Sequence, residues 1–355
     1  MVDNMVDSMD SSVALDMELL KQLSEVGGVP GREERVRALL RGALEGHVDS
    51  LEEDALGNLV AVKTSKKKKA KRVMLSAHMD EIGFYVRFVD DAGFLRVHNV
   101  GGFDTRNLFA RAVTVHAKEG DLIGVLNPAV KPVHLSTPEE RKKVPELAEF
   151  AVDLGLSAEE VRARVRLGDP VTLRQPFVDL GAVVTGKALD DRVNCFILAQ
   201  LLRQLDKPSH HVCAVFSVQE EVGLRGATTS AYALEPDIGI ALDTTLAVDT
   251  PGAPPEGRVT QLGGGVALKV MDSASISTRW LLDAFAALAE ERGVPYQLEV
   301  LPLGGTDAGA IQRSRKGVAT LTLSIPSRYV HTVTEMVAKR DVEASLALLK
   351  AYLQG

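Results

Sequence analysis

The sequence has few cysteines, few aromatic residues and no long apolar run. Of its 355 residues, two are cysteines, Cys195 and Cys213, and both lie in apolar stretches. Two cysteines in a chain of this length give no disulfide framework, so we predict buried, reduced thiols and a reducing compartment. The one tryptophan, Trp280, opens an amphipathic stretch and is predicted to pack there.

No stretch approaches the roughly 18 consecutive apolar residues that a membrane-spanning helix needs. Residues 1–12 are acidic and lack the basic and apolar regions of a signal peptide, so they predict a short disordered leader. The formal net charge is -7 and the charges are well mixed. This balance argues against a general nucleic-acid-binding surface, which needs a broad basic face. We therefore predict a soluble, cytoplasmic protein that binds neither membranes nor nucleic acid.

The chain has enough apolar residues, 45% of the total, to bury a large core. After Gly181, β-branched apolar strands alternate with amphipathic helices, which indicates a mostly parallel sheet with helices on both faces. Between residues 88 and 179, short β-like pieces and turn signals replace that alternation. We predict an α/β domain formed by residues 1–87 and 180–355, interrupted by a small β-rich domain of residues 88–179.

Acidic and histidine residues follow four of the predicted strands at the point where each strand ends. They are His78 with Asp80, Glu220 with Glu221, Asp243, and His331. Because ligands of an open α/β sheet gather outside the carboxyl ends of its strands, we expect these side chains to meet at one edge. Asp190 and Asp191 add a carboxylate pair at a helix start, where capping of the helix is the ordinary alternative.

Carboxylates crowded at one edge repel one another, and divalent cations relieve that cost. Mixed His, Asp and Glu ligation is typical of zinc, cobalt or manganese. With one bridging carboxylate, such a set can hold two ions about 3.5–4 Å apart, as hydrolytic two-metal sites do. A remaining glutamate could then serve as a general base.

Two other classes of protein remain as alternatives. Paired carboxylates also serve glycosidases, although those enzymes need no metal and no histidines. The run Lys66–Lys69 could instead mark a non-enzymatic assembly or nucleic-acid-binding protein, but a solvated loop tip between two hairpin strands is the favoured interpretation. Sensitivity to chelators and salt-dependent DNA binding separate these classes.

Six segments, in order along nearly the whole chain, resemble the M42 family of metallo-aminopeptidases, which includes tetrahedral and glutamyl aminopeptidases. They are S-A-H-M-D-E-I-G-F, G-K-A-L-D-D-R, Q-E-E-V-G-L-R-G-A, A-L-D-T-T, G-G-T-D-A-G-A-I-Q and S-I-P-S-R-Y-V-H-T. The resemblance implies a zinc-exopeptidase-like fold and a hydrolase that removes residues from the free N-termini of peptides. It also implies that residues 88–179 form a dimerisation domain and that dimers assemble further, typically into a dodecamer.

The resemblance also implies a role for each residue at the strand ends. Five match metal ligands for two divalent ions, with zinc expected first and cobalt or manganese as alternatives: Asp190 bridging both ions, His78 and Asp243 on one, Glu221 and His331 on the other. Glu220 would be the general base that takes a proton from the water between the ions. Asp80 would orient His78, as carboxylates commonly do for metal-binding histidines.

Some positions depart from the family pattern or keep two interpretations. T-V-T-E follows His331 where relatives usually have Ser-Pro-Val-Glu, and Asn194 replaces a common glycine. Both bear on pocket shape rather than on chemistry. Asp307 either contacts substrate or caps the following helix, with the cap favoured. Among enzymes with the same two-metal chemistry, dinuclear deacylases and carboxypeptidases are the nearest alternative function. The sequence leaves open which side chain is preferred at the first position of the substrate and which metal is native.

Overall fold

The structure is a computed structural model that describes residues 14–355. The leader predicted for residues 1–12 lies outside the described residues. The helices are α1 (Met17–Glu25), α2 (Glu34–Leu44), α3 (Ala158–Arg164), α4 (Leu189–Gln204), α5 (Arg225–Leu234), α6 (Arg279–Arg292), α7 (Asp307–Gln312) and α8 (Lys339–Gln354).

The strands fall into one large sheet and one closed barrel. The sheet contains β1 (Ser50–Glu53), β2 (Leu59–Lys63), β3 (Arg72–His78), β10 (Val178–Asp179), β11 (Val183–Gly186), β12 (His211–Ser217), β13 (Ile238–Leu246), β14 (Val266–Met271), β15 (Tyr296–Val300), β16 (Ala319–Arg328) and β17 (Glu335–Ala338). The barrel contains β4 (Gly83–Val89), β5 (Leu95–Val100), β6 (Arg111–Ala117), β7 (Gly120–Pro128), β8 (Phe150–Asp153) and β9 (Pro170–Leu173).

The large sheet is mixed, so the prediction of a mostly parallel sheet was wrong for its flanks. Its order is β1-β2-β12-β3-β13-β16-β17-β11-β10, with β14 and β15 branching from β16. The central ladders β12·β3, β3·β13 and β13·β16 are parallel, and so is β14·β15. The other ladders are antiparallel. Two parallel strands must be joined by a crossover connection, which is usually a helix. The alternation of strands and helices in the sequence therefore indicated the parallel strands and did not reveal the antiparallel ones.

The sheet is covered on both faces by helices. A large apolar cluster packs α1, α2, α4, α6 and α8 against the sheet, and a smaller one packs α5 and α7. Helix α4 is buried along almost its whole length, because the apolar run after Arg192 lies beneath the central strands. As predicted, Cys195 and Cys213 are buried and unpaired. Trp280, predicted to pack, is half exposed.

The β-rich segment forms a six-stranded closed barrel with its own apolar core. Its strands extend from Gly83 to Leu173, whereas β10 joins the large sheet. The sequence predicted the insert at residues 88–179. The first barrel strand, β4, begins at Gly83 and thus five residues earlier than predicted. No helix among residues 14–355 is long and apolar enough to cross a membrane.

Candidate metal centre

The parallel register of the central strands brings their polar ends to one edge of the sheet. His78 ends β3, and its register partner on β12 is Ser217, just before the Glu220–Glu221 turn. Asp243 lies within β13 opposite Ser324 of β16, and His331 follows the end of β16. Residues that are distant in the sequence are therefore neighbours here, as expected for the carboxyl edge of parallel strands.

Two groups of donor atoms lie at this edge, and they share one carboxylate. The first group is His78, Asp190, Asp191 and Asp243, and the second is Asp190, Glu221 and His331, with the atoms of each group within 4.8 Å of one another. His78 Nε2 lies 3.3 Å from Asp190 Oδ1, and His331 Nε2 lies 3.5 Å from Asp190 Oδ2. Each oxygen of Asp190 thus faces a different imidazole. All five residues predicted as metal ligands lie in these groups.

Asp191 was recognised as half of a carboxylate pair, but the sequence did not indicate what it contacts. One of its oxygens, Oδ2, accepts the backbone N–H of His78 at 3.0 Å, and the other accepts the side-chain amide of Asn194 at 2.6 Å. Asn194 was noted as a departure from the family pattern, and here it is part of this buried network. Asp191 therefore holds the backbone of His78 in addition to belonging to the first donor group.

Asp80 makes its main contacts with the glutamate turn. Its carboxylate accepts the backbone N–H groups of Glu220 and Glu221 at 3.0 and 3.1 Å. Its backbone carbonyl lies 3.0 Å from Nδ1 of His78, whereas its carboxylate is 3.7 Å from that atom. The carbonyl thus makes the contact that orients the imidazole, and the carboxylate positions the turn.

Glu220 belongs to neither donor group, although it lines the same cavity as their members. Its Oε2 lies 4.0 Å from His78 Nε2. Burial raises the pKa of the Glu220 carboxyl well above its usual range. The negative charges of Asp243 and Glu221 raise this pKa further, and His78 acts in the opposite direction. The Glu220 side chain is therefore a largely buried acidic group, 11% exposed, beside the ligand cluster.

The charges of the cluster shift one another strongly. Burial acts to raise the pKa of Asp190, but its contacts with His331 and His78 outweigh burial and hold that pKa well below its usual range. Burial acts to lower the pKa of His331, but the carboxylates of Asp190 and Glu221 raise it to about 12. Burial and the charge of Asp190 raise the pKa of Asp243. The carboxylates therefore attract positive charge into this edge of the sheet.

The residues present fit a pair of divalent cations. Asp190 Oδ1 is buried, and no group among residues 14–355 donates a hydrogen bond to it. Burying a carboxylate oxygen without a hydrogen bond costs free energy unless the oxygen binds a cation. Two imidazoles with several carboxylates are a donor set suited to zinc, cobalt or manganese. Asp190 is the member that both donor groups would use.

Asp307 lies beneath the site, and the favoured prediction that it caps α7 was wrong. Thr306 is the N-cap residue, and its side chain accepts the N–H of Ala308. Asp307 Oδ2 instead accepts hydroxyl hydrogen bonds from Ser76 of β3 and Ser217 of β12, at 2.5 and 2.6 Å. It therefore ties together the two strands that lead to His78 and to the glutamate turn.

The donor groups open into a cavity of about 570 Å³. Its walls include Leu246, Leu301, Leu303 and Val330, together with the buried Lys269. The Lys66–Lys69 run is exposed on the loop between β2 and β3 and does not line this cavity, so the prediction of a solvated loop is confirmed. The two strands form no hairpin, because β12 lies between them in the sheet.

Comparisons with known proteins identify similar chains. A family model described as M42 glutamyl aminopeptidase matches residues 57–348. The aminopeptidase APDkam598 from the archaeon Desulfurococcus kamchatkensis is 38% identical with a TM-score of 0.90, over 95% of this chain and 94% of that one. The lysyl aminopeptidase of Pyrococcus furiosus is 34% identical, over 96% of this chain and 97% of its own. The TET1 peptidase of Pyrococcus horikoshii, which can assemble into a tetrahedron or a large octahedral shell, is 31% identical with a TM-score of 0.85, over 95% of this chain and 98% of that one.

Proposed function

The chain belongs to the M42 family of aminopeptidases, and from this premise we propose that it is a dinuclear metallo-aminopeptidase that releases N-terminal residues from peptides. The proposed ligands are His78, Asp190, Glu221, Asp243 and His331. The observation that carries the proposal is that Asp190 is common to two donor groups and presents one oxygen to the histidine of each. A carboxylate in that position suits two cations better than one.

When bound, a pair of divalent cations supplies Lewis acidity at the scissile carbonyl and lowers the pKa of water. We propose zinc first, with cobalt and manganese as alternatives for the same donor set. The chain's own part is to fix the ligands. Asp191 accepts the N–H of His78, and Asp80 accepts those of Glu220 and Glu221, so that each ligand-bearing turn is anchored by a buried carboxylate.

Glu220 is proposed as the general base. It lines the cavity and adjoins Glu221, but it belongs to neither donor group and is therefore free for proton transfer. Its carboxylate would accept a proton from the attacking water and pass it to the leaving amine. A positioned acid–base group typically contributes 10²–10⁴-fold in rate.

The cavity suits the N-terminal residue of a peptide. The carboxylate of Glu220, which lines the cavity and is not among the proposed ligands, would attract a free α-ammonium group. The apolar lining residues, which include Leu246, Leu301, Leu303 and Val330, offer space for the first side chain. Peptides with a blocked N-terminus should therefore be poor substrates.

We propose that the barrel, whose strands extend from Gly83 to Leu173, is a dimerisation domain that mediates self-association, with further assembly towards a dodecamer. Several large apolar side chains on this part of the chain are exposed, including Phe88, Ile123, Val133, Leu135 and Leu167. Exposed large apolar side chains of this kind are available for contact with another subunit, where their burial would be favourable. The assembly of a 31% identical relative into a tetrahedron or an octahedral shell supports this proposal.

A matched pair of isosteric substitutions tests the mechanism. Glu220→Gln should lower kcat by about 10²–10⁴-fold while both metals remain bound, because it removes basicity and no ligand. Glu221→Gln should weaken metal binding first, and excess metal should restore part of its activity. The measurements are elemental analysis and hydrolysis of acidic, basic and apolar aminoacyl-p-nitroanilides with zinc, cobalt and manganese.

The pattern of losses identifies the error if the proposal is wrong. If Glu220→Gln loses metal and Glu221→Gln keeps it, Glu220 is the metal ligand and Glu221 is the general base. Activity that is indifferent to chelators, in a protein without stoichiometric metal, would refute the dinuclear centre and favour metal-free carboxylate chemistry.

A further inference from the structure

Glu335 is a buried carboxylate that accepts backbone hydrogen bonds from two of the proposed metal ligands. It is the first residue of β17 and is 2% exposed. Its Oε2 accepts the N–H of Asp190 at 2.9 Å, and its Oε1 accepts the N–H of His331 at 2.8 Å. One N–H belongs to the start of α4, and the other belongs to the loop between β16 and β17. One side chain thus joins two segments that are far apart in the sequence.

The two residues that Glu335 holds both depart from helical backbone geometry, and one of them lies in the left-handed region. Asp190 has ψ near 102° within the first turn of α4, and His331 has φ near +61°. A non-glycine residue in the left-handed region is uncommon and needs support from its surroundings. The side chains of the two residues also meet, with His331 Nε2 3.5 Å from Asp190 Oδ2.

We propose that Glu335 is a positioning residue of the metal centre, which holds Asp190 and His331 at the separation needed to ligate one divalent cation together. This inference rests on the proposed function. The opposed placement of the two oxygens explains why a carboxylate is suited to the position. Each oxygen accepts from one N–H group, whereas the carboxamide of glutamine offers one oxygen and turns its own N–H towards the second backbone N–H.

Substitution at Glu335 should therefore act on metal affinity. Hydrogen bonds to a charged group are among the stronger ones in proteins. Loss of a residue that orients metal ligands typically lowers metal affinity or activity by about 10–100-fold. We expect Glu335→Gln to weaken binding of at least one of the two ions by that factor.

Asp341 provides a matched control. It is also a buried carboxylate that accepts two backbone N–H groups, from Gly263 and Gly265 at 2.8 and 2.7 Å, but it does not line the cavity. Asp341→Asn makes the same chemical change away from the ligands. The full-length wild type, Glu335→Gln and Asp341→Asn are freed of metal and titrated with Zn²⁺ by calorimetry, and their metal-free unfolding temperatures are compared.

The expected result is weakened Zn²⁺ binding in Glu335→Gln and wild-type binding in Asp341→Asn, even if both variants unfold at lower temperature. Wild-type affinity for both ions in Glu335→Gln would overturn the inference. Should that variant fail to fold, Glu335→Asp keeps the charge on a side chain one methylene shorter, which withdraws the carboxylate from the N–H groups of Asp190 and His331. Wild-type affinity in Glu335→Asp would overturn the inference equally. A wild type that binds no stoichiometric metal would refute the proposed function, and this inference with it.

Discussion

Arg192 is completely buried at the start of the helical part of α4, and replacing it tests how the N-terminal segment is attached to the sheet. Its guanidinium donates to the backbone carbonyls of Met79 and Leu23, both at 2.6 Å, and to those of Val26 and Gly28 at 3.0 and 3.3 Å. Arg192→Met keeps much of the apolar side-chain volume but removes every donor.

The number of carbonyls left without a donor sets the expected cost, because the Glu81 carboxylate, 3.5 Å from the guanidinium, keeps its shorter contacts with Lys187. Gly28 keeps a hydrogen bond from the N–H of Glu81, and Val26 keeps one from Lys187. Within residues 14–355, the carbonyls of Met79 and Leu23 have no second donor. An orphaned buried acceptor costs roughly 1–3 kcal/mol, so Arg192→Met should lower the free energy of unfolding by about 2–6 kcal/mol.

Arg203→Met is the control on the same helix. Arg203 pairs with Asp16, next to α1, at 2.9 Å, but both side chains are about one-third exposed. Exposed ion pairs contribute about 0–1 kcal/mol, so this variant should remain close to wild type. Urea unfolding with chelator present, at one fixed protomer concentration, measures both variants because assembly would otherwise shift the transition. Equal losses in the two variants would show that the buried carbonyls do not depend on Arg192.

The remaining predictions concern pH and assembly. Burial raises the pKa of Asp341 to about 6 from 3.8, so its contribution to stability is present below about pH 4 and is lost as the pH rises through about 6. The stability of the wild type relative to Asp341→Asn should therefore fall by up to about 3 kcal/mol between pH 4 and pH 7 in urea unfolding, and a pH-independent difference would contradict this assignment. Ile123→Lys, at a residue of β7 that is 63% exposed, should reduce the mass of the assembly in light scattering. Lys118→Ala, at a nearby exposed position, should leave that mass unchanged, and an unaltered mass in Ile123→Lys would exclude this face from the interface.

The sequence by itself determined which segments would form the central strands and that His78, Glu221, Asp243 and His331 would come to one edge. Strand patterns are local, and the position of a residue relative to the end of its own strand can be counted along the chain. Parallel neighbours then bring equivalent ends together without further information. The same local reasoning identified the β-rich insert, although it placed the start five residues after the first barrel strand begins.

Only the tertiary structure decided how these residues are held. Glu335 reaches Asp190 across 145 positions in the sequence, Asp307 reaches Ser76 across 231, and Arg192 reaches Met79 across 113. A buried carboxylate that accepts backbone N–H groups leaves no periodic pattern, because its partners are main-chain atoms of any residue type. The antiparallel flanks of the sheet were missed for a related reason, since hydrogen bonds between distant strands depend on their order in space. Local patterns therefore identified the residues at the edge of the sheet, whereas long-range hydrogen bonds set the geometry of the site.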